Sequence, residues 1–492
     1  MTQNRWPLPP EITERIIDLL CLDRRRRYFR YIYANLPGTA QYAGVCKEWQ
    51  ELVERRTFRN LRLSRARLAD IDRIICRRRR TYVCTVDLNV ELEPYGAEVY
   101  GDFETAEETA RNSSLFSETL RLFFDIFSRW TPGNSGLHRE RAGISLRITA
   151  FSPSDVGRCG KAEMTRRDGD IKNHDIYADR YIHSILQLLP AAGNLPVVES
   201  VSEVISGKAR HISAPAWALI INSLPNAKKI DINFWENEKK DLELRKRLRD
   251  EIGDALARMC CPNAEVTLTC SYEAPKDHSS IPPILTARGV DDAFARGMRT
   301  WTRQLKRLFL SGVVISPEMF YAAASDEEEA ASEHLEQLEV TYAAVTPHGT
   351  WLLEFNPEDS PLDRPSPVVD LDEYHPDSLV REVPAPEDMY EYDFRTRPVA
   401  TEMDHIHQGV ARAVRRMPAL QELYLVTFDG SIQWGRRHHA FLYKHDTDRG
   451  VGTAHWGSLP GYTPAEDVVE LWKEMAEVRG HQLEVLIDKN EV

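Results

Sequence analysis

The residues whose type and spacing come nearest to a chemical site are histidines: His405 with His407, and His438, His439 and His445. A metal is the chemistry they suggest. Two histidines at i and i+2 on a helix point to different faces, however, and no cysteine or second carboxylate motif stands at ligand spacing to complete a site. These histidines are therefore expected at the surface, with no metal and no cofactor. The arginine quartets Arg24–Arg27 and Arg77–Arg80 suggest nuclear import or an anion pocket, against the plainer reading of a solvated face. The second quartet ends a predicted helix, where cations suit the C-terminal dipole. No Gly-x-Ser-x-Gly elbow, phosphate loop, dinucleotide fingerprint or His-Glu-x-x-His is present, so no enzymatic activity is expected.

Whatever these residues do, a sizeable body must hold them. The chain has 492 residues, enough for two or more domains or one extended repeat array. Its formal charge of −13 leaves no excess cation to displace counterions along a phosphate backbone, so nucleic acid is not an expected partner. The eight cysteines form no Cys-x-x-Cys pair and read as reduced thiols, which with the lack of a signal-like N-terminus points to the cytoplasm or nucleus. The longest apolar run, "APAWALII" from 214, is far short of the roughly 20 residues that span a bilayer, so no membrane is expected.

Two short helices are predicted in residues 1–57. In "WPLPPEITERIIDLL", Pro9 and Pro10 suit a first turn and Ile12, Ile16, Leu19 and Leu20 recur at helical spacing. In "VCKEWQELVERRTF", Val45, Trp49, Leu52 and Val53 do the same. The first stripe either caps this chain's own core or faces a partner. From residue 58 to 492 an apolar-x-x-apolar-x-apolar pattern recurs, as in "FRNLRL", "VCTVDL", "AKKIDI", "LKRLFL", "LEQLEV" and "LQELYL". Each copy predicts a strand. Helices are predicted between them at 118–130, 175–189, 241–259, 404–417 and 464–478, an α/β arrangement of strand–helix units in the manner of a solenoid. Long insertions interrupt it, chiefly the acidic, proline-rich 355–398, which reads as a mobile surface loop.

The N-terminal segments resemble an F-box, the helical module that docks onto the Skp-type adaptor of a cullin–RING ubiquitin ligase. Leu8, Pro9, Glu11, Ile12 and Ile16 match its first half, and Val45, Cys46, Trp49 and Leu52 its second. The stretch "DRRRRYFRYIYAN" stands between the halves, beyond the usual spacing. The strand pattern resembles a leucine-rich repeat, with Val313, Ala343 and Phe428 where the repeat asparagine would be. The chain as a whole is similar to F-box-like proteins of filamentous fungi with a long C-terminal region of unassigned function. The resemblance implies an α/β (α+β) chain, an F-box-like module over 1–57 followed by an irregular leucine-rich-repeat-like solenoid over 58–492. It implies a substrate receptor of such a ligase, with Leu8, Pro9, Ile12, Ile16, Leu20, Val45 and Trp49 binding the adaptor and the solenoid holding a target protein. The other open reading is a scaffold that works without the ligase, its F-box-like helices serving only as a cap. Most tryptophans are expected in the core. Trp434 and Trp456, in glycine-containing segments, are the candidates for presenting an aromatic anchor to the target.

Overall fold

The computed structural model describes residues 9–27, 30–35, 39–99, 102–130, 143–158, 180–181, 183–189, 194–207, 210–239, 241–321, 331–357, 366–367, 390–392, 394–428, 439–458 and 461–488. The fold is mixed α/β with mostly parallel sheet. It divides into two compact units, one comprising Met1–Tyr100, Thr105–Arg180 and Leu195–Arg210, the other Gly101–Glu104, Tyr181–Asn194 and His211–Val492.

The first unit opens with the helix Pro10–Cys21 and an antiparallel pair, β1 (Leu22–Arg27) with β2 (Arg30–Asn35). That pair, with Leu22 opposite Asn35, stands between the two N-terminal helices. The helix Lys47–Thr57 follows, its N-terminus capped by Cys46, whose sulfur accepts from the Trp49 amide at 3.5 Å. Four parallel strands come next: β3 (Asn60–Leu63), β4 (Thr85–Glu91), β5 (Ile144–Phe151) and β6 (Val201–Ser206). Leu61, Val86 and Leu146 stand in register, as do Leu63, Leu88 and Ile148, so each alternating strand sends one row inward. The helix Ala106–Phe127 buries Phe116, Leu120, Phe123, Phe124 and Phe127, and a capping box of Thr105 with Glu108 fixes its start.

The second unit holds β7 (Lys229–Asn233), β8 (Glu265–Thr269), β9 (Arg307–Val313) and β10 (Gln337–Ala343), all parallel. Two short antiparallel pairs lie in the following insertion, β11 (Leu353–Phe355) with β14 (Arg395–Pro398) and β12 (Ser366–Pro367) with β13 (Tyr390–Glu391). β15 (Glu422–Phe428) then returns to lie parallel beside β10, Leu423 opposite Leu338. The helix-to-strand joints before β7 and β15 have the same build. In one, Leu224 and Ala227 are buried after the helix Ala214–Asn222; in the other, Met417 and Leu420 are buried after the helix Ala400–Val414. Each joint closes with a backbone bond, Ala227 N–H to Leu224 O at 3.0 Å and Leu420 N–H to Met417 O at 3.0 Å.

The strand–helix alternation breaks at the end. β16 (Ala440–Asp446) pairs antiparallel with β15 on one side and with β17 (Val451–Trp456) on the other, and β18 (Gln482–Ile487) resumes parallel pairing, beside β17, after the helix Glu466–Val478. The β16–β17 turn is organised by Asp446, whose carboxylate accepts from the amides of Asp448 and Arg449, both at 3.1 Å. Gly450 closes it with φ +63°, a conformation that favours glycine.

Not every predicted helix forms. In 175–189, the described residues from 183 on are not helical: Leu186 bridges in parallel to Ile212, its amide donating to His211 O and its carbonyl accepting from Ser213 N, both at 2.9 Å. Strand-like pairing there outcompetes the helical spacing of its apolar residues. Elsewhere close packing depends on missing side chains. The helices Leu242–Arg258 and Ala293–Thr302 cross at Gly253 and Gly297, and a Cβ on either would collide with backbone of the other helix.

Candidate functional site

The two N-terminal helices share a small core of Ile17, Trp49 and Val53, with Ile16, Leu20 and Leu52 half-buried around it. Arg56 locks the pair from outside, its Nε donating to Asp18 Oδ1 at 2.5 Å. Apolar side chains remain open beside charged ones: Ile12 is 47% exposed, Leu19 76% and Val45 52%. Pro9 is exposed, and its carbonyl accepts from the amides of Ile12 (3.0 Å) and Thr13 (3.1 Å), which starts the helix. Leu8 lies outside the described residues. The sequence-predicted set therefore separates into exposed residues, Pro9, Ile12 and Val45; half-buried ones, Ile16 and Leu20; and Trp49, which is buried and supports the pair from within.

The second arginine quartet has a structural use. Arg77–Arg80 forms a single helical turn beside the helix Lys47–Thr57. Glu54, only 4% exposed, receives Arg79 Nη2 on one oxygen at 2.7 Å and Arg78 Nη2 on the other at 2.6 Å. Gln50 adds a third donor at 3.0 Å. The hydrogen bond from Arg79 holds the Glu54 carboxyl below its ordinary pKa, against the opposing effect of burial. Arg80 pairs with Asp72 at 2.9 Å and lies over the Trp130 ring.

The second unit contains the strongest departure from expectation. His407 and His439, predicted at the surface, are fully buried, with their Nε2 atoms 3.0 Å apart. His439 Nδ1 lies 2.6 Å from Ser458 Oγ. Phe441, Trp456 and Tyr462 surround the pair. A hydroxyl against an imbidazole-type ring that meets a third group has the outline of a nucleophile and its base. Two facts remove that role. Ser458 is 1% exposed, so no substrate reaches it, and burial drives the His439 pKa down to about 3, too low for a useful base near neutral pH. Among the described residues, no three metal-ligating side chains gather in one place.

Trp456, expected in a loop, lies in β17 with no exposed surface, packed against Phe441 and Trp472. It is a core residue, because the segment around it pairs on both sides as a strand. Trp434 lies outside the described residues. A second buried polar centre joins Arg249 to Glu236 at 2.5 Å and to Asp292 at 2.8 Å. Burial raises the Glu236 pKa. Burial alone would lower that of Arg249, yet the two facing carboxylates raise it. This centre staples the loop after β7 and the start of the helix Ala293–Thr302 onto the helix Leu242–Arg258.

No protein-family model matches this chain, and no curated protein matches it either. Among the described residues, no helix is long and apolar enough to cross a membrane.

Proposed function

We propose that this chain is a non-enzymatic substrate receptor of a cullin–RING ubiquitin ligase. The F-box-like helices Pro10–Cys21 and Lys47–Thr57 dock a Skp-type adaptor, and the strand–helix body, an irregular leucine-rich-repeat-like solenoid, holds a target protein. The receptor supplies proximity, and the ubiquitin chemistry belongs to the ligase's partner enzyme. Cytoplasm or nucleus is the compartment such a role requires.

The observation that carries the reading is the division of labour within the helix pair. Its interior is satisfied by Ile17, Trp49 and Val53, yet Ile12 and Val45, two of the residues that the F-box resemblance assigns to the adaptor, stay in solvent, and Leu19 is exposed as well. Large apolar side chains held out on a small, internally packed module suit a partner surface. A second reading draws on Glu54. Its clasp by Arg78 and Arg79 ties the second helix to the following segment, as befits a cap in a scaffold that works without the ligase.

A pull-down with purified Skp-type adaptor separates the two. Under the receptor reading the wild-type chain retains adaptor, and an Ile12→Ala, Val45→Ala double substitution loses at least about tenfold in affinity with its circular dichroism unchanged. Folded wild-type protein that retains no adaptor leaves the cap reading.

A further inference from the structure

The last strand of the second unit, β18, pairs with β17 on one side and, among the described residues, with no strand on the other. The amides of Gln482 and Asp488 donate back toward β17, to Gly450 O at 3.3 Å and Trp456 O at 3.0 Å. Amides alternate in direction along a strand, so those of Leu483, Val485 and Ile487, with their carbonyls, point away from β17. None of these has a backbone partner among the described residues.

The same three residues carry the apolar row. Their register neighbours on β17 are Gly452, Ala454 and Trp456, and Trp456 packs on Trp472 of the helix Glu466–Val478, so the three side chains lie on the helix side of the sheet. On β16 and β17 this row is fully buried, at Phe441, Tyr443, Ala454 and Trp456; on β18 it is only half-buried. Nothing in β18 blunts its edge: its six residues run in unbroken register with no proline, lysine or bulge. A further strand would cover the row and take up the outward amides.

Charge on the opposite face says what such a strand must carry. Glu422, Lys444, Thr453 and Glu484 stand side by side across β15, β16, β17 and β18. Lys444 is taken by Glu422 at 3.0 Å, and Glu484 ends the row exposed, with no ion pair among the described residues. The helix that packs on β18 adds the exposed Glu474 and Glu477, while its Lys473 is paired with Glu470 at 2.7 Å. A second copy does not answer this charge. Gln482–Ile487 contains no lysine or arginine, so pairing the strand with itself places no cation beside Glu484.

We propose that the open edge of β18 binds an extended basic segment of a partner protein as an added strand. Its apolar residues cover Leu483, Val485 and Ile487, and a lysine or arginine meets Glu484. Calling that partner a ligase target rests on the receptor reading; the pairing itself involves the second unit alone.

The test is fluorescence anisotropy on the full chain with a fluorescein-labelled peptide of core Val-Lys-Val-Lys-Val, which sets a lysine beside Glu484 in either strand direction. One control is N-methylated at its three central residues, which keeps side chains and charge but removes ladder donors. Another carries glutamate for lysine. The lysine peptide is expected to bind, and both controls at least about tenfold more weakly. Glu484→Lys, a change at an exposed position, should reverse the preference between the lysine and glutamate peptides. Val485→Pro removes an outward donor and leaves the β17 ladder intact, so it should weaken binding about tenfold with circular dichroism unchanged. No binding of the lysine peptide by folded wild type overturns the proposal. Equal binding of the N-methylated control, or an unchanged preference in Glu484→Lys, does the same. A wild-type dimer in sedimentation that Val485→Pro dissolves would seat a second copy on the edge and overturn it too. Adaptor capture, run alongside, keeps the two proposals apart. Peptide binding without capture supports the edge and counts against the ligase alone, and capture without peptide binding overturns the edge alone.

Discussion

His407 and His439 face each other through their Nε2 atoms at 3.0 Å, with neither ring exposed to solvent. At that distance one nitrogen donates and the other accepts, and burial keeps both rings neutral. Protonating either would place a charge in an aromatic enclosure with no counter-ion in contact among the described residues.

Acid should therefore unfold the second unit early. Burial lowers the pKa of both rings, that of His439 to about 3 and that of His407 well below the ordinary value. In the unfolded chain both titrate near 6.5. Between that pH and the folded values the unfolded state binds more protons, so stability falls as pH falls, by up to about 1.4 kcal/mol per pH unit for each ring. Melting temperature measured from pH 7 to 4.5 should drop steadily, and His439→Asn should flatten the slope. A flat profile in the wild type would contradict the buried pair.

Glu54 predicts the state of the helix pair. Replacing it with glutamine removes the charge that Arg78 and Arg79 share, at a cost of about 1–3 kcal/mol. Because the folded pKa is depressed, this stabilisation is present above the unfolded value near 4.5 and is lost as pH falls through the lower, folded one. Hydrogen exchange across 47–57 should accelerate in Glu54→Gln at pH 7, and the gap from wild type should close in acid.

Arg249 tests the other buried centre. Arg249→Met removes the guanidinium that bridges Glu236 and Asp292 and should cost about 3–5 kcal/mol, read as a lowered denaturant midpoint. Adding Glu236→Gln should recover part of that loss, since one of the two orphaned charges is gone. No recovery would mean that the arginine acts through packing over Phe294 alone.

The strands of the leucine pattern were legible because a pleated, half-buried strand requires alternation, and β3, β4, β7, β9, β10 and β15 all sit on its copies. β5 and β8 alternate too but lack the leading apolar residue that marks the joint, and β6, which buries Val201 and Val204 three apart, does not alternate, so all three escape the pattern. The first helix was legible as a helix but not in its facing. With Ile16 beside Ile17 and Leu19 beside Leu20, it carries two overlapping stripes, and only packing against Trp49 and Val53 selects Ile17 as the inward residue. The histidine pair left no sequence signal. Spacing along one helix describes what His405 and His407 do to each other, whereas His407 meets a residue brought in by the edge of β16, a meeting that pairing of whole strands determines.

The turn at Asp446–Gly450 bears on how the chain reaches this state. Most strand pairs of the second unit join segments separated by a helix or a long insertion, so each must close a large loop before its first contact forms. β16 and β17 need only a turn already organised by the Asp446 carboxylate and Gly450. Hairpins of that kind assemble in about 1–10 μs, far ahead of pairings that wait on a crossover. This hairpin thus supplies the second unit's quickest structure, and β15 gains a ready-made neighbour on one side before β10 closes on the other.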